Sequence, residues 1–431
     1  MKFTDLTGRR VALWGWGREG QSVSQHLREL GIEHTVAVPD QEEGSDPAVL
    51  GGEAGAAALR AAEVVIKSPG VPVTAPLYAQ LLESGVAITS LSDLWLNDNA
   101  ERTVAVTGSK GKSTTSSVLT HLLRAAGVDA SLRGNIGTSV LTEPSPPSQI
   151  VVMELSSYQA QSLTVSPRIV IVTSLFPEHQ TWHGSAEAYF TDKLNAIAHG
   201  TQVAALPAQA PFLDRVQAAA PAARIITLGP DTVDVDEDGG LIWADGTRLA
   251  AAAVPVLGRH QRVNVALACL VAGELGIAAP VLADAIPSFR PLAHRMEQVP
   301  SSDGRLWIDD SLATAPEAVV ATLQALPDTG PVAVLIGGSD RGLDVQPLVA
   351  YLREHPDVLP LFTGPVGSRI IEQLERGTLF TSFAEALAWA RSRVNPARVV
   401  LLCPGAPSFD EFRDYEHKSA AFRAAAAAPE E

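Results

Sequence analysis

Short apolar runs alternate with amphipathic stretches along the whole chain, and the alternation restarts twice. RVALWGWG (10–17) has the density of a buried strand, and QSVSQHLRELG (21–31) has helical spacing with Gly31 as its stop. HTVAVPD (34–40) and AEVVIKSPG (62–70) follow as further strands. Strands separated by helical segments predict a βαβ block with a parallel sheet. A second block opens at TVAVTG (103–108) and runs into STTSSVLTHLLRAAG, where Val118, Leu119, Leu122, Leu123 and Ala126 share one helical face and Gly127 is placed to end the helix. Strands are expected at QIVVMELS (149–156) and RIVIVTSL (168–175), and DEDGGLIWADGTRL (236–249) reads as a hairpin. After PLAHRME the rhythm begins a third time, with strands at RLWIDD, PVAVLIGG, VLPLFTG, TLFTS and ARVVLLCPG. The helix APEAVVATLQAL carries Pro316 in its first turn.

The fold class expected is therefore α/β, with three domains built on largely parallel sheets: 1–96, 97–290 and 291–431. A length of 431 residues suits two or three cores rather than one. Apolar residues at 46% and charged residues at 19% describe a well-buried chain. The net charge of −16 argues against non-specific nucleic-acid or anionic-membrane binding, so any phosphate must be received by local devices. Two distant cysteines, Cys269 and Cys403, exclude a disulfide framework. With neither a signal-peptide pattern nor an apolar run of membrane-spanning length, the expected location is the cytoplasm.

Two glycine-rich turns carry candidate chemistry. Gly15-Trp16-Gly17-Arg18-Glu19-Gly20 joins a strand to a helix, and Asp40 ends the next strand, which is the pattern of a dinucleotide-binding turn. A pyrophosphate on the helix N-terminus and a bare tight turn explain that pattern equally well. TGSKGKSTT (107–115) is more specific. It is a phosphate loop shortened by two residues, in which Gly108 and Gly111 permit the turn and Lys112 offers a point charge. Ser113 or Thr114 offers a hydroxyl to a metal.

The short loop resembles that of the Mur ligases and their folylpolyglutamate synthase relatives. The motifs GNIG (134–137), VVMELSSYQ (151–159), PEHQTWHGSAEAYFTDK (177–193), GRHQRVNVALA (258–268), HRMEQV (294–299), DDSLATAPEA (309–318), IGGSDRGLD (336–344) and PGAPSFDEFRDYEHK (404–418) stand in MurD-type order and spacing. The resemblance covers nearly the whole chain. It implies Rossmann-like outer domains around a central ATPase domain, and a monomer that joins glutamate to UDP-N-acetylmuramoyl-L-alanine. Its cofactors would be ATP and Mg2+, and the carboxylate would be activated as an acyl phosphate.

Carried over residue by residue, the resemblance makes Lys112, Glu154, His179 and Lys193 catalytic. Glu154, His179 and Lys193 (as a carbamate) hold metal beside Ser113 or Thr114. Gly108, Ser109, Lys110, Gly111, Lys112, Ser113, Thr114, Asn264, Arg295 and Asp310 receive ATP, with His294 beside Asp310. Gly15, Trp16, Gly17, Ser68, Pro69 and Gly70 take the UDP part and Asn135 the rest of that substrate, while Thr314, Arg341, Ser408 and Tyr415 take glutamate. Closure about a hinge near residue 290 is expected to complete the site. A folylpolyglutamate-type ligase would not need the first block, an NAD-linked oxidoreductase would leave the central loop idle, and a nucleotide sensor would not need the metal-ligand set.

The sequence departs from the pattern at Lys110 and Gln261, where Asn is usual. It departs more seriously at Leu312 and Ala315, where MurD-type enzymes carry a lysine and an asparagine. Losing a cation and an amide beside a dicarboxylate favours a rebuilt pocket. This points to the branch that adds L-glutamate, with D-glutamate the alternative.

Overall fold

In the computed structural model, described over residues 1–41, 48–136, 138–142, 145–326 and 330–429, three parallel sheets follow one another along the chain. The first contains β1 (Val11–Trp14), β2 (His34–Val38), β3 (Val49–Gly51), β4 (Val64–Lys67) and β5 (Ala87–Ser90), in the order β3-β2-β1-β4-β5. Strand order reverses between β1 and β4, and a crevice opens at such a switch point beyond the strand C-termini. The turns after β1 and β4 are the Gly15–Gly17 and Ser68–Gly70 segments.

The second sheet contains β6 (Thr103–Thr107), β7 (Ala130–Gly134), β8 (Ile150–Glu154), β9 (Ile169–Val172), β10 (Val203–Leu206) and β11 (Arg224–Thr227), ordered β11-β10-β9-β6-β8-β7. Central β6 is buried along its length, which is why TVAVT is continuously apolar or small. It delivers the glycine loop to the sheet's C-terminal edge, between the loops that follow β8 and β9. The segment expected to be a hairpin is instead a three-stranded antiparallel meander, β12 (Val233–Val235), β13 (Leu241–Trp243) and β14 (Arg248–Leu249).

The third sheet contains β15 (Glu297–Val299), β16 (Leu306–Asp309), β17 (Val332–Gly337), β18 (Val358–Thr363), β19 (Thr378–Leu379) and β20 (Val399–Leu402), ordered β15-β16-β20-β17-β18-β19. Only β15 runs antiparallel, pairing Glu297 with Asp309. TLFTS supplies just two residues of edge strand.

The chain forms two compact units. The first holds Met1–Val254 and Val263–Phe289; the second holds Pro255–Arg262 and Arg290–Glu431. One apolar core runs through the first unit from Phe3 to Phe212 and Ala220, joining Leu13 and Leu27 of the first sheet's layers to Met153 and Val170 of the second. The second unit has a core on each face of its sheet, around Ile336 and Phe362 on one side and Trp307 and Phe422 on the other. Among the described residues no helix is long and apolar enough to cross a membrane.

The helix after β1 begins at Arg18, three residues earlier than its apolar spacing suggests, so Gly20 sits in its first turn. Asp40 lies beyond the end of β2 at Val38, in a turn.

Candidate active site

The glycine turn after β1 is explained by close packing. Gly15 has φ +111°, and a Cβ there would stand 2.6 Å from Ser68 Oγ. A Cβ on Gly20 would stand 2.3 Å from the Gly15 carbonyl. Ser68 N–H donates to Trp14 O at 2.8 Å, so the two turns expected to hold the UDP part are laced together. Trp16 O accepts from Gln21, and Gly17 caps the helix Arg18–Glu29. Beyond Pro69, Gly70 O accepts from Trp182 Nε1 at 3.4 Å.

The central loop is equally constrained. Gly108 (φ +143°) passes so near β9's exit that a Cβ would lie 2.0 Å from Thr173 Oγ1. Gly111 (φ +91°) caps the helix Lys112–Ala125 and leaves 2.4 Å between a notional Cβ and Asn264 Oδ1. Asn264, assigned to the nucleotide side, thus stands against the loop. Ser109 is buried, donating to Phe176 O at 2.8 Å and lying 2.8 Å from Tyr189 OH, so it braces the loop. Lys110 pairs with Glu178 at 2.7 Å. Ser113 is buried and Thr114 half-buried at the helix start.

Two lysines converge behind the loop. Lys112 Nζ donates to Gly108 O at 2.9 Å and to Ser109 O at 3.0 Å. Lys193 Nζ donates to the same Gly108 O at 2.9 Å while 2% exposed. Burial pushes the Lys193 ammonium well below its ordinary pKa of 10.5, and the neighbouring Lys112 charge adds to that. Two lysine nitrogens thus crowd one carbonyl, and donors outnumber acceptors at the loop.

Glu154 ends β8. Its Oε1 accepts from Asn135 Nδ2 at 2.7 Å, whereas Oε2 is buried with no hydrogen-bond partner among the described residues. Asn135, assigned to the substrate, here holds Glu154; its neighbour Gly137 in the GNIG motif lies outside the described residues. His179 takes φ +51°, a left-handed conformation uncommon outside glycine. Burial lowers its pKa from 6.5, which favours the neutral ring that ligates metal. The open Glu154 oxygen, a neutral His179 ring and the loop hydroxyls are, by kind, the mainly oxygen set of donors that a hard divalent cation takes. Lys193 joins that set only after its ammonium becomes an anion.

In the second unit, Arg341 Nη2 donates to Thr314 O at 3.1 Å, bringing two expected glutamate-pocket residues together. Ser408 Oγ is buried and lacks a hydrogen-bond partner among the described residues. Tyr415 opens the helix Tyr415–Ala427 and meets the His294 ring edge-on at 5.4 Å. Arg295 is exposed. Asp310 spends its oxygens internally, accepting from Met296 N at 3.1 Å and Thr322 Oγ1 at 2.5 Å, and burial pushes it up to about 6.

His294 makes its bond to Asp309, the neighbour of Asp310, with Nδ1 3.0 Å from Asp309 Oδ2. Asp309 closes β16 and Asp310 follows it, and the two aspartates serve different neighbours. Asp309 is deeply buried, which alone would raise its pKa. Hydrogen bonds from Ser419, Ser311 and Arg423 nevertheless hold it below the ordinary range. Arg423 bridges Asp309 and Glu297, so the two carboxylates of the His294, Glu297 and Asp309 cluster already share a guanidinium.

Sequence reasoning passed over Glu19, Lys67, Ser157, Gln159, His183 and Asp192. All six stand inside quoted stretches, and only their tertiary partners show what they do.

The Mur ligase middle domain matches residues 106–272, and the Mur ligase, glutamate ligase domain matches residues 294–406. A Micromonospora protein named UDP-N-acetylmuramoyl-L-alanine--L-glutamate ligase is 40% identical, the match covering 98% of this chain and 97% of the relative. The protein of that name from Salinispora tropica is also 40% identical, over 98% of each. In fold, the chain is similar to MurF from Acinetobacter baumannii, with a TM-score of 0.61 at 19% identity over 96% of this chain and 90% of that one. Similarity over nearly the full length leads to one conclusion: the chain belongs to the Mur ligase family and is an ATP-dependent ligase.

Proposed function

We propose that this enzyme joins L-glutamate to UDP-N-acetylmuramoyl-L-alanine, with ATP first converting the muramoyl-alanine carboxylate into an acyl phosphate. The observation that carries this reading is the convergence of Lys112 and Lys193 on Gly108 O. A carboxylate is a poor electrophile, and moving a phosphoryl group onto it requires charge to be gathered where the transferring oxygens pass. Lys112 turns from the loop carbonyls toward the outer phosphates. Lys193 leaves the same carbonyl when its amine, kept nucleophilic by a lowered pKa, takes up carbon dioxide as a carbamate.

Glu154 Oε2, His179, the Lys193 carbamate and Ser113 or Thr114 would hold Mg2+, which supplies charge neutralisation between the anionic reactants. Asn135 occupies Oε1 of Glu154 and leaves Oε2 to the metal. Asn264 backs the loop. Residues 1–96 would receive the nucleotide sugar, 97–290 ATP, and 291–431 glutamate through Thr314, Arg341, Ser408 and Tyr415. Glutamate's amine then displaces the phosphate.

For handedness, Leu312 and Ala315 leave that segment without the cation and amide of the MurD-type pattern, so a carboxylate must be met by other donors. The names of the 40% identical relatives support L-glutamate. The retained Arg341–Thr314 contact favours D-glutamate as the second reading. Parallel assays of ADP release with UDP-N-acetylmuramoyl-L-alanine and either isomer decide between them. The expected result is higher kcat/KM with L-glutamate; a clear preference for D-glutamate overturns the assignment, and no release with either overturns the substrate class.

A further inference from the structure

A buried polar chain ties together three segments that the ligase reading uses separately. The His183 side chain is 0% exposed, with Nδ1 2.6 Å from Asp192 Oδ2 and Nε2 3.0 Å from Ser157 Oγ. Asp192 accepts the Nδ1 proton, which leaves Nε2 of the neutral ring to accept the Ser157 hydroxyl. Ser157 opens the short helix Ser157–Ala160, His183 closes the helix Gln180–His183, and Asp192 lies in the last turn of the helix Ala186–Leu194. Their positions in sequence give the chain its meaning. Ser157 lies three residues after Glu154, His183 four after His179, and Asp192 directly before Lys193.

Rings fill the space around this chain. Tyr158 stacks on His183 at 5.4 Å and 14°, and Tyr189 meets it edge-on at 5.3 Å. The same elements are fastened to the first sheet, where Gln159 Nε2 donates to Glu19 Oε1 at 2.6 Å and Lys67 Nζ lies 5.9 Å from the Trp182 ring. Serine, histidine and aspartate in this order also build hydrolase triads. Here Ser157 is 2% exposed, so its hydroxyl meets the protein interior rather than a substrate.

We propose that His183 is a positioning residue for ligation, bracing the Glu154, His179 and Lys193 segments at the mutual spacing a divalent cation needs. The inference rests on the ligand assignment made above. Each segment leaves its secondary structure near its functional side chain, so backbone ladders alone do not set the distances between them; the imidazole contributes one bond to each side, beside Asn195 Nδ2, which donates to Ala160 O and Leu163 O at 2.9 Å. Losing such orienting partners typically costs about 10–100-fold in metal affinity or activity.

The test uses full-length enzyme and manganese(II) alone, read by electron paramagnetic resonance without ATP, together with steady-state kinetics and circular dichroism. His183→Phe, which keeps an aromatic ring, and Asp192→Ala are each expected to weaken manganese binding about tenfold or more and to lower kcat about thirtyfold. The KM for glutamate should stay within threefold. Asp192→Asn retains an acceptor for the Nδ1 proton and should remain within threefold of the wild type. Should His183→Phe fail to fold, Asp192→Ala and the single-oxygen deletion Ser157→Ala carry the comparison, the latter with a threefold to tenfold loss. Folded variants that bind manganese within twofold of wild type would overturn the brace, as would an Asp192→Asn enzyme as impaired as Asp192→Ala. A wild-type enzyme that neither binds manganese nor releases ADP would instead overturn the ligand assignment itself.

Discussion

Lys112 and Asp310 show two opposite uses of charge by single residues. Lys112 is half-buried and donates to two carbonyls of its own loop. Lys112→Ala should keep its thermal midpoint within about 2 °C, a surface-scale change, while ADP formation falls by about a thousandfold or more, as expected where transition-state charge loses its partner. Near-normal turnover in the folded variant would remove the loop from the mechanism. Asp310 is the reverse, a carboxyl whose pKa rises from 3.8 to about 6 on folding because burial penalises its charged form. The folded state therefore holds this proton more tightly than the unfolded one. That stabilisation is complete below about pH 4, and it is lost as pH rises through 6. The full shift is worth up to about 3 kcal/mol. Asp310→Asn keeps an acceptor for Met296 N and a donor toward Thr322, and it cannot ionise. Its melting temperature should exceed that of wild type at pH 7.5 and converge with it near pH 4; a constant difference across that range would refute the linkage.

At the level of elements, the glycine turns were legible because their cause is local: strand, tight turn and helix follow within a few residues. Gly20 and Gly17 separate packing from motif. A Cβ on Gly20 collides with the Gly15 carbonyl, whereas one on Gly17, at φ −75°, meets nothing within 4 Å. Gly20→Ala should cost about 1–3 kcal/mol as the helix shifts and weaken UDP-substrate binding in calorimetry. Gly17→Ala should leave stability nearly unchanged, and equal damage from both would show that the turn is not governed by this contact. What stayed hidden was non-local. The insertion of β20 between β16 and β17, the antiparallel β15 and the His294–Asp309 pair depend on strands far apart in sequence. Lys67 ends an apolar strand, where a lysine ordinarily marks the exit to solvent, yet it is 1% exposed because a second layer packs over it. The motif PEHQTWHGSAEAYFTDK announced His179 and Lys193. Only the fold pairs His183 with Asp192 and turns that stretch into a brace.

For the whole molecule, the partition into two units follows from where apolar surface is shared. Both cores of the second unit lie between Met296 and Ala426, apart from Leu257 packing at the margin. Residues 290–431 expressed alone should fold into a soluble α/β domain with cooperative unfolding and no ligase activity. In the first unit a core spans two sheets, and a smaller one around Ala12, Trp14 and Leu59 packs on the first sheet alone. Residues 1–96 alone would expose the faces of Leu94 and Trp95 and should aggregate or remain molten. A stable, cooperatively melting 1–96 fragment would show that the shared core is dispensable.

The lysine drawn onto the Gly108 carbonyl has a consequence for how the enzyme comes to be ready for work. If the proposed carbamate is the working form, the translated chain is an unfinished one, and its completion depends on a dissolved gas rather than on another protein. Enzyme purified and held in degassed, bicarbonate-free buffer should start slowly, with a lag that shortens as bicarbonate is added. Lys193→Ala should show no such lag and should regain part of its rate with acetate, whereas Lys193→Arg should recover with neither. A wild-type enzyme indifferent to carbon dioxide would leave the buried ammonium as an end state. Otherwise the catalyst is assembled partly from the atmosphere its cell breathes.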